Sequence, residues 1–437
     1  MAREPEVATS FTVRHLELAG EVASAVDAGE VVRLTRELVR IDSVYRPETG
    51  GNETACARFL AGYLADRGFQ VTLEEAAPGR PNVIADLDGE GDGPTLILEG
   101  HTDVVTEGDP SAWTRDPFGA QVDAGRIYGR GACDMKGGLA AAICAAIAVG
   151  DAAPALPGRL RLAIVADEEG MMLGIKSFIA NGWADGVAGA IICEPEDNEI
   201  CLFQKGALRT QATLHGQMAH GAMPYAGASP IPAAARFILG CADLEAEYFE
   251  RHGEHPFLGR AHVTPTIVRA PVAGEPQHNV MPDNVLVALD VRTVPGQDHG
   301  AIRGDLERLL DDATAAYPAV RARLEILEER PWTETPADSG LVRSVEAAHR
   351  LALGREPRYG GVPGATDGTF LHALAGVPIV TIGPGARTVP HRADEWVDIS
   401  QLVAASRLYA AAAVLFRASH PSAGRPRPTG APREESR

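Results

Sequence analysis

A chain of 437 residues exceeds what one hydrophobic core serves, so two domains are expected, and 45% apolar residues give each enough material to bury. A net charge of -19 and an isoelectric point near 5.1 exclude nucleic acid and anionic membrane as natural partners, because no basic stripe offsets the acidic balance. The opening MAREPEVATSF has no basic start followed by an apolar run, and no segment approaches the ~18 consecutive apolar residues of a membrane span, so a cytoplasmic location is expected.

Residues 1 to 28 read as a polar, alanine-rich lead with some helix. From Glu30, VVRLTRELVRI has helical spacing, and GGNETACARFLAGYLADRGF forms a second amphipathic helix that ends at Gly68. Three short apolar strands follow, FQVTLEE, PNVIADL and PTLILEG. The stretch GRGACDMKGGLAAAI, Gly129 to Ile143, reads as a glycine-rich loop that closes on Asp134 and runs straight into a helix, with Leu139, Ile143 and Ile147 as its packing stripe. RLRLAIVADEEG is a buried strand, Arg159 to Ala166, stopping at three successive acids, and AGAIICEPED repeats the theme with a strand closed by Glu194 and Pro195. This alternation is the rhythm of an α/β sandwich.

Near Gly206 the pattern changes. The order strand, helix, two strands, helix, strand over the next ~120 residues is the split-βαβ pattern of a small four-stranded, ferredoxin-like domain. After Pro331 the first rhythm resumes with a helix around SGLVRSVEAAHRLAL, the loop GGVPGATDGTF, the strand VPIVTIG, His391 in a loop and a last helix from about Ser400. The expected organisation is therefore a catalytic domain in two parts, 1–206 and 331–416, an insert at 207–330, and a Pro-, Gly- and Arg-rich disordered tail at 417–437. The six cysteines lack any CxxC pair and read as reduced, buried thiols; Cys133 and Cys193, each preceding an acid, pack behind the site rather than ligate.

The chemistry lies in polar residues at strand and loop ends: His101 and Asp103, Asp134, Glu168 and Glu169, Glu194, and His391. Each alone has a bland explanation, as a helix cap, a solvated edge or a loop histidine. Imidazole and carboxylate recurring at every such end form instead the ligand set of zinc or a similar divalent ion, and five ligands with one shared carboxylate suit two ions. Such a pair lowers the pKa of water toward neutrality.

The segments EGHTDVV, GRGACDMKGG, ADEEG, ICEP and the stretch from GPG to His391 resemble, in order and spacing from Val31 to Leu415, the dinuclear zinc amidohydrolases. That family includes acetylornithine deacetylase, succinyl-diaminopimelate desuccinylase, aminoacylase and glutamate carboxypeptidase. The resemblance implies an α/β/α sandwich with an inserted lid and dimerisation domain, two divalent ions per chain (Zn2+, or Co2+ or Mn2+), and a cis peptide at Asp134-Met135. By the same resemblance Asp134 bridges both ions, His101 and Glu194 complete one site, and Glu169 and His391 complete the other. Asp103 orients His101, Glu168 is the general base, and His220 in HGQMAHGAMP steadies the tetrahedral oxygen, often across a homodimer. Asn279 in HNVMPD and Arg292 in LDVRT resemble lid positions that hold a substrate's α-carboxylate, with Thr366 of the second catalytic part adding a contact. The implied substrate is an N-acyl amino acid, with a short peptide or succinyl-diaminopimelate as alternatives. The desuccinylase loop carries an arginine where GATDGTF has Thr369, which counts against a dicarboxylic substrate.

Overall fold

The computed structural model describes residues 11–419. Helices α1 (Val13–Ala25), α2 (Ala28–Arg40) and α3 (Thr54–Ala65) precede strands β1 (Gln70–Ala77), β2 (Arg80–Asp88) and β3 (Thr95–His101). A short hairpin, β4 (Gln121–Asp123) and β5 (Arg126–Tyr128), leads to α4 (Lys136–Ala152), β6 (Arg159–Val165), α5 (Leu173–Ala180) and β7 (Val187–Ile192). Next come β8 (Ile200–Gln204), β9 (Gly206–His215), β10 (Ala219–His220), α6 (Ile231–His252), β11 (His262–Arg269), β12 (Val280–Met281), β13 (Asn284–Thr293), α7 (His299–Thr314), β14 (Arg321–Arg330) and β15 (Thr333–Glu334). The chain closes with α8 (Gly340–Leu353), β16 (Tyr359–Val362), α9 (Gly368–Ala375), β17 (Ile379–Thr381), β18 (Trp396–Asp398) and α10 (Ile399–Ser419).

Two compact units result: one runs to Ile200 and adds Pro336–Arg358 and the chain from Ala375, and the other holds Cys201–Thr335 with Tyr359–Leu374. The insert thus begins a strand earlier than the composition change near Gly206 indicates. Tyr359–Leu374, read from sequence as part of the catalytic domain, groups with the insert because β16 pairs with β8. Residues 417–419, assigned to the tail, continue α10. Arg417 is buried and donates to the carbonyls of Leu156, Pro157 and Gly158, and residues 420–437 lie outside the described part.

In the first unit the sheet runs β1-β2-β6-β3-β7-β17, antiparallel at the β1 end and parallel from β6 onward. After their first residue β3 and β6 are buried at every position, the mark of strands covered on both faces. Because β6, β3, β7 and β17 run the same way, their C-terminal ends share one edge of the sheet, where ligands of open α/β sheets bind. Helix α4 is buried on all sides rather than along one stripe, since β3 and β6 lie on one flank and α10, α2 and α1 on others. Helix α10 is long and apolar enough to cross a membrane, but it is a core helix packed on α8, α4 and α1.

The second unit is built on the antiparallel sheet β11-β13-β9-β14, with α6 and α7 packed on it. Val285, Val287, Leu289 and Val291 alternate along β13 into a core with Phe237, Cys241, Ile302 and Leu306. The connection order β9-α6-β11-β13-α7-β14 with the spatial order fourth-first-third-second is ferredoxin-like, as the sequence pattern predicts.

Candidate metal centre

Each acid or imidazole at the shared sheet edge is delivered by the element before it. His101 is the last residue of β3, Asp167 to Glu169 follow β6, Glu194 follows β7, and Asp134 lies in the loop before α4. Gly131 turns that loop with φ of +81°, and Gly138 lets α4 approach so closely that a Cβ there would stand 2.1 Å from the carbonyl oxygen of Cys193, beside Glu194. Gly138→Ala is accordingly expected to push α4 off that strand end and lower stability by about 2 kcal/mol or more, read as a drop in thermal midpoint. Asp134 does not cap α4, whose N-cap is Met135 without a side-chain hydrogen bond, so the helix makes no use of its carboxylate. The Asp134-Met135 peptide is cis.

The two carboxylate oxygens of Asp134 face two different imidazoles. Oδ1 lies 3.3 Å from His101 Nε2, and Oδ2 lies 3.3 Å from His391 Nε2. Glu194 Oε1 is 3.4 Å from His101 Nε2, and Glu169 Oε1 is 2.9 Å from His391 Nε2. Ligand atoms of His101, Asp134 and Glu169 fall within 4.8 Å of one another, as do those of His101, Glu168 and Glu194. His101 Nε2 is buried yet makes no well-formed hydrogen bond, and it and the surrounding oxygens converge on common points, which is what a divalent ion requires. Asp103, almost fully buried, organises both sides. Its backbone oxygen is 3.0 Å from His101 Nδ1, and its carboxylate accepts the backbone N–H groups of Glu168 and Glu169 at 3.2 and 3.0 Å.

The charges are unbalanced without cations. Burial, and after it the charge of Asp134, push Glu194 up to about 7, and Glu169 is raised by the same two causes. Hydrogen bonds to Asp134 and Glu169 lift His391 to about 10. Burial would lower His101, but the carboxylates of Asp103, Asp134 and Glu194 beside it hold it well above the ordinary imidazole value. Asp134 is depressed by the two imidazoles despite its burial. Protons thus stand where cations would. For His391, raised on folding, the stabilisation is complete below the unfolded imidazole pKa and is lost as pH rises through about 10. For Glu194, also raised, it is complete below the unfolded carboxyl pKa and is lost through about 7. Metal-stripped protein is therefore expected to lose stability across that range while metal-loaded protein does not. The gap between their thermal midpoints should widen from about pH 6 to about pH 9, and a constant gap would contradict this charge balance.

Residues 97–414 match the profile of peptidase family M20/M25/M40. The chain belongs to this family. The protein is a metal-dependent hydrolase of amide bonds. Over 384 residues it is 33% identical to a succinyl-diaminopimelate desuccinylase of Methylobacterium sp. (strain 4-46), covering 84% of this chain and 91% of that one. Among solved structures it resembles the di-peptidase Dug1p from Saccharomyces cerevisiae, with a TM-score of 0.72, 16% identity, and coverage of 92% and 99% of the two chains. It also resembles the YXEP protein of Bacillus subtilis, a dinuclear metal binding peptidase from M20 family, with a TM-score of 0.68, 19% identity, and coverage of 90% and 99%.

The residues assigned to the substrate in this M20 chain all lie in the second unit, where the fold makes neighbours of His220 and Asn279. His220 in β10 pairs with Val280 of β12, and the Gly221 N–H donates to the Asn279 carbonyl at 2.7 Å, so His220 and Asn279 are neighbours. His220 is exposed, its Nδ1 accepting from the Ala222 N–H at 3.0 Å. Arg292 lies at the opposite end of β13, eight residues from Asn284, or about 26 Å at the usual strand rise. Its guanidinium pairs with Asp290, Nη2 donating to Oδ2 at 3.0 Å and Nε lying 2.7 Å from Oδ1. Thr366, placed by sequence in the catalytic domain, is instead buried in the second unit. It bonds Gln204 through its N–H at 3.1 Å and its hydroxyl at 3.0 and 3.1 Å. Thr369 is buried too, its hydroxyl 3.1 Å from Gln204 Oε1. Sequence reasoning passed over Glu395. This buried acid accepts the backbone N–H groups of Cys133 and Asp134, and burial with the charge of Asp134 pushes it up to about 7. Its only sequence signal is a second acid four residues beyond His391.

Proposed function

We propose that the protein hydrolyses the amide bond of an N-acyl amino acid beside a free α-carboxylate, with two divalent cations, zinc in the first place, held around Asp134. The observation that carries this reading is the single carboxylate whose two oxygens each face an imidazole, His101 and His391, with Glu194 and Glu169 closing the two sides. His101, Glu194 and Asp134 would hold one ion, and His391, Glu169 and Asp134 the other. When bound, the cations polarise the scissile carbonyl and acidify water. Glu168, in the buried acid loop fixed by Asp103, takes the proton from water during attack and returns it to the leaving amine. Asp103 holds the His101 ring so that Nε2 faces the carboxylates. His220 donates to the oxygen on which charge develops, and Asn279, Arg292 and Thr366 would hold the substrate.

The separation of His220 from Arg292 supports a homodimer. One amino-acid derivative cannot touch both ends of β13, so His220 and Asn279 would serve the site of a second copy. The six cysteines, all free and buried, suit a reducing cytoplasm.

The test is a parallel assay of the metal-reconstituted enzyme on acetylornithine, other N-acetyl amino acids, succinyl-diaminopimelate and dipeptides. An N-acetyl amino acid is expected to give the highest kcat/KM. A succinylated substrate is the second reading, favoured by the desuccinylase relative, but the chain offers the buried, hydroxyl-bonded Thr369 where the resemblance to desuccinylases implies an arginine. Preference for the succinyl compound would overturn the acetyl assignment, and turnover of dipeptides alone would make the enzyme a dipeptidase.

A further inference from the structure

We propose that Glu395 is a positioning residue for Asp134, tying the shared carboxylate to the segment that carries His391. The inference rests on the two-cation reading of the site. Glu395 has no exposed surface, and both of its oxygens are committed away from the metal centre. Oε1 accepts the consecutive backbone N–H groups of Cys133 and Asp134 at 2.9 and 3.0 Å, and Oε2 accepts from Arg130 Nη1 at 2.5 Å. Two adjacent amides on one oxygen fix the orientation of the peptide from which the Asp134 side chain projects. Arg130, buried as well, spreads the hold by donating to the carbonyls of Arg392 and Thr106, each at 3.2 Å. The Gly129 N–H donates to the Glu395 carbonyl at 2.8 Å, so backbone and side chain of one residue grip both ends of the 129–134 loop.

The same segment is anchored on its other side. Asp394 accepts the Thr114 and Arg115 N–H groups at 2.9 and 3.3 Å and the Thr114 hydroxyl at 2.7 Å, and Trp396 pairs with Tyr128 where β18 joins β5. His391 and Asp134 are 257 residues apart in sequence (391 minus 134), yet only three residues separate His391 from the side chain that holds the backbone of Asp134. Glu395 therefore sets the distance between two ligands of one ion. A carboxylate is needed for this. Glutamine would offer one oxygen to the two amides, but its NH2 group would meet the Arg130 guanidinium, donor against donor.

The experiment is calorimetric titration of Zn2+ into metal-stripped full-length wild type, Glu395→Gln, Glu395→Asp and Arg130→Lys, each checked for fold by circular dichroism and thermal melting. Wild type is expected to show two binding steps. In Glu395→Gln the weaker step should lose about tenfold to a hundredfold in affinity while the stronger is retained, the usual scale for losing a group that orients a ligand. Glu395→Asp, which keeps the charge but withdraws it from the amides, should show the same selective loss and serves if the glutamine variant does not fold. Arg130→Lys, which leaves the grip on the amides but drops the forked donation to the Arg392 and Thr106 carbonyls, should weaken the same step by less than Glu395→Gln does. Two wild-type affinities in a folded Glu395 variant with only a lower melting point would overturn the positioning role and leave the two-cation reading standing. Fewer than two ions on wild type would overturn that reading and the positioning role with it.

Discussion

Replacing Glu168 by glutamine should leave the metal content of the protein unchanged and reduce kcat by about 10²- to 10⁴-fold, the usual worth of a positioned general base. Glu168 is buried at the sheet edge, its backbone N–H is held 3.2 Å from Asp103 Oδ1, and its carboxylate clusters with His101 and Glu194. The amide has the same shape and fits the same space, so fold and cation binding survive, but it cannot take a proton from water. KM should change little, because a base acts on the transition state more than on bound substrate. Steady-state kinetics beside elemental analysis of the same preparation separates these effects. Retained turnover would remove Glu168 from the mechanism, and lost metal would mean that it serves as a ligand.

Replacing Asp134 by asparagine should act one level deeper and remove one or both of the metal ions. Its two oxygens are the shared element, one 3.3 Å from His101 and the other 3.3 Å from His391. An amide offers one oxygen and a nitrogen with no free lone pair, so one of the two sides loses its ligand. Stoichiometry is expected to fall to one ion or none, and activity at least as far as in Glu168→Gln. A second readout follows from electrostatics. The charge of Asp134 helps to raise Glu194, Glu169 and Glu395, so in the metal-free variant all three should titrate nearer the ordinary carboxyl range. Carboxyl titration followed by NMR on stripped protein reads this directly, and unchanged values would argue that burial alone sets them.

The sheet edge was legible in the sequence because its signal is local: an apolar run that stops at His101, at Asp167 to Glu169, or at Glu194 announces its own direction and its own end. The ferredoxin-like insert was legible for the same reason, its strands alternating and its helices striped. What stayed hidden depends on pairing between distant segments. Glu395 reads as one more surface acid until Cys133 and Asp134 are found against it, and nothing in LDVRT announces that Arg292 pairs with Asp290, two residues before it on the same strand face. Thr366 groups with the second unit because β16 returns to β8, a pairing that nothing in GATDGTF announces. Arg417, in a stretch whose composition resembles a tail, is buried against the carbonyls around Pro157.

The central claim is that Asp134 is shared by two cations. Crystals of the zinc-reconstituted protein measured on both sides of the zinc absorption edge test it most directly. Two anomalous peaks per chain are predicted, each within bonding distance of a different oxygen of Asp134, one also touching His101 and Glu194 and the other His391 and Glu169. A single peak, or a pair of peaks that leaves Asp134 uncoordinated, would contradict it.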